Sequence, residues 1–359
     1  MREEKISGRQ YGVLVFVIMM SPLIHAIPVR IATAGKAAWL LVIPSVIPLA
    51  VLFYFLFRTL GRMPEGSGLR DVYLTALGNR WGKLCCWINV AWLLMLTVMN
   101  FRFSAERYIS AVYPETDLAI FNLVLVLLLL LIVWNDFGDL VRMGKILFWV
   151  IAITLIAVLV MAANQIQLYN IWPVTDIKWK EAGMGTLRMS TVMAFAVPTS
   201  FLVGRVNWKS NKKGIVWWLT ILTVTMLAIG VAVIGVFGPG LSERLEVPFF
   251  TLDKQITFQG KVKGLETVVA AMWLMSDTAI TGVHVFAAGE AMKCTIPNKR
   301  LAVARVLLVC TILPLCSLLP ASTFQVDAYY RSVGMPANII IGFVMPAVAL
   351  AIGRIRRKW

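Results

Sequence analysis

Long apolar stretches alternate with short polar ones along this chain, and the apolar stretches are continuous rather than alternating residue by residue. Runs of about 20 apolar residues match a helix crossing the hydrocarbon core; a membrane barrel would show short alternating segments instead. The pattern predicts ten helical segments, over residues 11–32, 37–57, 84–112, 118–134, 145–163, 189–204, 214–237, 265–292, 300–319 and 338–353. Between them lie a polar loop at 58–83, a tight connection at 136–144, an amphipathic stretch at 164–188, a basic loop at 205–213 and a polar excursion at 238–264. No linker or shift in composition divides the chain, so residues 1–359 read as one all-α integral membrane domain.

The first segment is interrupted by Ser21-Pro22-Leu23-Ile24-His25-Ala26-Ile27-Pro28. Each proline withholds a backbone N–H and crowds the preceding turn. In lipid, a broken helix survives only where protein or a polar cavity surrounds it. The sixth segment carries Pro198 in Phe195-Ala196-Val197-Pro198-Thr199-Ser200. Ten segments divide into two sets of five with opposite topology, and these are the first of each set. Matching interruptions in two inverted halves point to a transporter-type site, although a kink alone is an ordinary outcome of proline in a membrane helix.

Composition agrees: 59% of residues are hydrophobic and 14% charged, with a formal net charge of +16. With the N-terminus inside, most of the 34 Lys and Arg residues fall in inside segments, so both termini are expected in the cytoplasm. The excess suits anionic lipid rather than nucleic acid. The first segment lacks the small-residue cleavage site of a signal peptide. Cys85, Cys86, Cys294, Cys310 and Cys316 have no metal-ligand spacing and read as small packing residues.

Asp277 is the strongest chemical signal, about 18 Å into the eighth segment. An acid there costs about 2.5–3.5 kcal/mol to insert and normally faces the bundle interior. Thr281 and His284 follow on the same helix face. Arg102 and Glu106, spaced four apart, are expected as an interfacial pair within snorkelling distance of the outer surface. The candidate ligand pocket comprises Ser21, Ile24 and His25 at the first interruption, Phe195 and Thr199 at the second, Asn100 on the third segment, and Ser276, Asp277 and Thr281 on the eighth. For each polar member the plain alternative is a buried group satisfied by its neighbours. There is no P-loop, HExxH or paired CxxC, so neither an ATPase nor a metal enzyme is indicated. No cofactor is expected.

Several stretches, taken in order, resemble the spore germination permease family, the B subunit of spore germinant receptors. They are Glu4-Lys5-Ile6-Ser7-Gly8-Arg9-Gln10 at the start, Arg102-Phe103-Ser104-Ala105-Glu106, Leu140-Val141-Arg142-Met143-Gly144-Lys145-Ile146, Tyr169-Asn170-Ile171-Trp172-Pro173-Val174, and Val247-Pro248-Phe249-Phe250-Thr251-Leu252 with Trp273 downstream. The resemblance implies the LeuT-type fold of the amino acid/polyamine/organocation transporter superfamily and residence in the inner membrane of an endospore. It also implies assembly with A-type and lipoprotein C-type subunits, and recognition of a small nutrient germinant. Two features depart from it: there is no glycine between Val13 and Ala34, and no glycine–acid pair at the second interruption.

The expected function is a nutrient-sensing membrane subunit that triggers germination, not an enzyme. The alternatives are a secondary transporter of amino acids or another organic solute, proton-coupled through Asp277, and an assembly subunit that binds no ligand. Fold alone does not separate these.

Overall fold

A computed structural model describes residues 5–111, 115, 117–207, 214–245, 247–258, 265–318 and 323–359. Each of the ten expected segments has a helical counterpart. Eight helices among the described residues are long and apolar enough to cross a membrane. The fourth, Leu118–Trp134, is shorter. The sixth is an α-helix over Trp179–Met193 that tightens to a 3-10 helix over Ala194–Phe201, where Pro198 sits.

The chain enters through β1 (Ile6–Ser7) and α1 (Gly8–Ile31). Ser7 caps α1: its Oγ accepts from the Gln10 N–H at 3.2 Å, and Gln10 Oε1 accepts from the Ser7 N–H at 2.7 Å, satisfying two otherwise orphaned donors. Two 3-10 turns lead to α2 (Val42–Leu60). Then come α3 (Leu69–Ala111), α4 (Leu118–Trp134), α5 (Phe137–Ala163), the single turn α6 (Leu168–Ile171), α7 (Trp179–Met193) and β2 (Val206–Asn207). The second half holds α8 (Gly214–Arg244), α9 (Pro248–Phe258), α10 (Leu265–Met292), α11 (Asn298–Cys310) and α12 (Ile312–Leu318). The last crossing joins α13 (Thr323–Tyr329), α14 (Met335–Ala337) and α15 (Met345–Ile355) through two π-helical stretches, Tyr330–Gly334 and Asn338–Val344.

Four expectations change. First, α1 is helical through both prolines; the interruption is a defect in its hydrogen-bond ladder, described below. Second, the loop at 58–83 contains the start of α3. Leu69, Val72, Tyr73 and Ala76 are buried at the i, i+3, i+4, i+7 spacing of one helix face. Asp71 Oδ2 accepts from the Gly68 N–H at 2.9 Å, and α3 then kinks at Gly78 (φ 82°), a left-handed conformation suited to glycine. Third, α5 starts at Phe137, inside the expected connection, because Asp139 Oδ2 accepts from the Asp136 N–H at 3.3 Å and ends the turn. Fourth, the excursion at 238–264 holds the helix α9.

The centre of the bundle is α1, whose most apolar window is 83% buried, with α10 at 78%; Asn298–Leu318 reaches only 22% and faces outward. α1 packs against α5, α7, α8 and α10, and α10 against α3. The molecule therefore has a protein-enclosed axis where polar groups can survive. Both chain ends reach one face: β1 pairs in parallel with β2, Ile6 opposite Val206, and Trp359 shares a groove with Arg58 and Arg62. The expected basic loop at 205–213 lies outside the described residues from 208 onward.

Candidate functional site

α1 and α10 meet at Ser276. Its hydroxyl donates to the Val17 carbonyl at 2.7 Å and accepts from the Ser21 N–H at 3.2 Å. These are the two backbone groups of one i, i+4 rung, so a hydroxyl from α10 bridges that rung of α1. The bridge falls one residue before Pro22, whose missing N–H leaves the next rung open. The interruption read from the sequence thus exists as an open rung beside a bridged one rather than an unwound segment.

Above this bridge, on the side of the C-terminal end of α1, polar side chains converge from three helices. Asp277 is 2% exposed. Its Oδ2 accepts from an Arg107 guanidinium N–H at 2.8 Å, and its backbone carbonyl accepts from Asn100 Nδ2 at 3.4 Å. The His25 ring packs edge-on against Trp273, centroids 4.5 Å apart, and feels the charge of Arg107. Phe250 of α9 covers Trp273 at 5.0 Å. Ser21 and His25, four apart on α1, and Trp273 and Asp277, four apart on α10, share their respective helix faces.

Several atoms here make no hydrogen bond among the described residues: Ser21 Oγ, both ring nitrogens of His25, Trp273 Nε1 and Asp277 Oδ1. Leaving a buried polar group unpaired costs about 1–3 kcal/mol, and several kcal/mol in a membrane interior. Five such atoms lie at this one junction. Unbonded buried polar atoms also lie elsewhere, among them Thr33 Oγ1, Asn89 Oδ1, Ser104 Oγ and Asn122 Oδ1, while other buried polar groups are satisfied. Trp92 Nε1 donates to Asn338 Oδ1 at 3.0 Å, and Asn338 Nδ2 donates to the Thr191 carbonyl at 3.1 Å, tying three crossings together.

The remaining candidates spread along the axis. Ile24 is fully buried in the apolar core. Thr281 bonds back to the Asp277 and Thr278 carbonyls of its own helix. Phe195 faces the His284 ring, with centroids 6.1 Å apart, about 10 Å along α10 from Asp277. Thr97 gives its proton to the Leu93 carbonyl, so the 3.3 Å contact with His284 Nδ1 has histidine as donor; His284 Nε2 makes no bond among the described residues. Thr199 lies further toward the chain-end face: its hydroxyl donates to Ala196 and accepts from Tyr11 at 2.7 Å. Ser21, His25, Asn100, Ser276 and Asp277 come together, and Thr281 joins them through its bond to the Asp277 carbonyl; Phe195 and Thr199 do not touch that cluster through hydrogen bonds.

Arg107 is the partner of Asp277 that the sequence reading missed. The signal was present, since Arg107 follows Asn100 by seven residues on α3 and shares its face, and an intramembrane acid calls for a partner. Arg102 and Glu106 are not interfacial. They pair at 2.8 Å with side chains 3% and 11% exposed, because this flank of α3 is covered by α12, through Cys316 on the Val98 carbonyl, and by Tyr330 on Phe103.

The chain-end face is closed below the axis. Arg205 Nε donates to Glu290 Oε1 at 2.9 Å, and Lys293 Nζ pairs with Oε2 at 2.9 Å. The backbone at Gly204 packs so closely on Gly66 that a Cβ would meet its carbonyl oxygen at 2.1 Å.

A polar junction thus lies on the central helix, with ion pairs at the chain-end face. Residues 5–326 match the spore germination protein family. The chain belongs to that family. No curated protein matches the chain in sequence. Among solved structures, a Na+-coupled sialic acid symporter in a substrate-bound outward-open state is similar with a TM-score of 0.62 at 12% identity, over 98% of this chain and 92% of that one. Mhp1 in an inward-facing conformation is similar with a TM-score of 0.51 at 9% identity, over 99% and 79%. The fold is the LeuT-type fold of these transporters, and the family member described here is an integral membrane protein of permease type.

Proposed function

We propose that this chain is the membrane subunit of a spore germinant receptor, and that it recognises a small polar nutrient, an amino acid or sugar, where α1, α3 and α10 meet. The observation that carries the reading is the set of unbonded polar atoms around His25 and Asp277. They offer Asp277 Oδ1 as an acceptor, Trp273 Nε1 as a donor, and Ser21 and His25 in either role. A guest with several hydrogen-bonding groups would satisfy them together. Family membership supports the germination role, with A-type and C-type subunits as partners and the spore inner membrane as the location. The charge bias supports placing the chain-end face in the cytoplasm, with two inverted sets of five crossings.

One observation favours secondary transport instead: the fold is shared with a protein described as a Na+-coupled symporter. Against proton carriage by a lone Asp277 stands Arg107, which already balances that acid. Spores carrying the receptor with His25→Ala should need at least about tenfold more nutrient to germinate, at unchanged receptor abundance. An unchanged dose–response would remove the ligand role from this junction. Concentrative uptake of labelled nutrient by the chain alone in proteoliposomes would establish the carrier reading.

A further inference from the structure

A groove of about 490 Å³ runs between α2 and α15 on the outer flank of the bundle, away from the central junction. Its walls are apolar for most of its length, with Val51, Phe55, Ala347 and Ala351 exposed along it. At the chain-end face it finishes among Arg58, Arg62 and Arg354, and Trp359 also lines it. No Asp or Glu lines the groove. None of the three arginines is in an ion pair with a carboxylate among the described residues; Arg58 reaches only the Tyr54 hydroxyl, at 3.4 Å. The neighbouring cavity, by contrast, which shares Arg58 and Arg62, contains Glu65 and Lys5, and these two pair at 3.5 Å.

Arg58 and Arg354 lie in the last turns of their helices, where a cation is favoured by the helix dipole alone. That does not account for three guanidinium groups around the end of one apolar slot. Guanidinium matches phosphate geometry, the slot has the shape and polarity of an acyl chain, and tryptophan settles at the headgroup level. We infer that this groove is a binding site for an anionic phospholipid, its phosphate held by Arg58, Arg62 and Arg354 and one acyl chain lying between α2 and α15. Basic pockets between helices on the inner side of a membrane hold such headgroups by the same physics.

The test uses the full chain purified in detergent and probed with phosphatidylglycerol, phosphatidylcholine and inorganic phosphate. Wild type should retain phosphatidylglycerol in native mass spectra and melt at higher temperature with it than with phosphatidylcholine, while phosphate alone has little effect. The variant Arg58→Gln/Arg62→Gln/Arg354→Gln should lose the preference, and Ala351→Trp, which fills the slot with the charges intact, should lose the retained lipid. Lys299→Gln/Arg300→Gln, on an exposed basic turn elsewhere, should keep both. Equal response to the two lipids, an unaffected triple variant, or the same loss in the Lys299/Arg300 control would overturn the assignment. So would a groove that retains no lipid and becomes protected only when a partner subunit is added, which would give it to a protein.

Discussion

Two acids on α10, Asp277 and Glu290, each pair with an arginine from another helix or loop, yet they are not equivalent. Glu290 uses both oxygens, one on Arg205 and one on Lys293, and stands at the closed chain-end face. Asp277 uses Oδ2 on Arg107 and leaves Oδ1 without a bond, beside a histidine that makes none. A fully engaged carboxylate is a latch; a half-engaged one keeps bonding capacity for something else. Burial does not separate them, since the side chains are 3% and 11% exposed. Only a count of bonds, oxygen by oxygen, does.

The largest effect expected from breaking this comparison is at Asp277. Arg107→Gln leaves the buried Asp277 carboxylate without its arginine, a loss of about 3 kcal/mol for a group this enclosed, and Asp277→Asn breaks the same pair from the other side. The double variant removes both charges and should recover most of that, raising the apparent melting temperature toward wild type. Nutrient response should be absent in all three. If the pair were structural only, response would return with stability in the double variant.

Glu290→Gln should cost about 2–3 kcal/mol but act at the other end. Phe201 is 3% exposed and lines a small cavity with Arg205 and Glu290. A cysteine introduced by Phe201→Cys should be labelled faster by a water-soluble maleimide when Glu290→Gln is added, with the nutrient response retained. Labelling that does not change would mean that Glu290 does not hold this face shut.

The smallest effect sharpens the role of the bridge. Ser276→Ala removes two hydrogen bonds and leaves the Val17–Ser21 rung to bond within α1 alone, so the net loss should be about 1 kcal/mol. Hydrogen exchange at the Ser21 amide should slow, because the rung becomes an ordinary helical one. Faster exchange there would mean that Ser276 supports the helix rather than opening it.

Much of this was legible in the chain. Each of the ten apolar runs has a helical counterpart, eight of them among the described residues long and apolar enough to cross a membrane, and the rarity of an acid inside an apolar run singled out Asp277. Ser21, His25 and Asn100 were found because prolines and polar residues inside apolar helices are conspicuous. What escaped depended on long-range partners. Nothing local to Pro22 says that Ser276, more than two hundred residues away, will bridge a rung and that α1 will otherwise stay helical. Arg107, near the end of the expected segment 84–112, had nothing to single it out until Asp277 was placed opposite it. The amphipathic start of α3 was readable from Leu69, Val72, Tyr73 and Ala76, but five basic residues between 58 and 83 made the stretch look uniformly polar. The 3-10 and π-helical stretches of the sixth and last crossings follow from packing and have no signature in hydropathy.

Direct ligand binding tests the central claim. Wild type and the Arg107→Gln/Asp277→Asn variant, purified at matched stability, would be screened by thermal stabilisation against amino acids, sugars and nucleosides, since a bound ligand raises the melting temperature by mass action. The account predicts that at least one small polar nutrient stabilises wild type in a saturable way and leaves the double variant unmoved. A nutrient that stabilises both equally would place the binding site away from Asp277 and contradict the account.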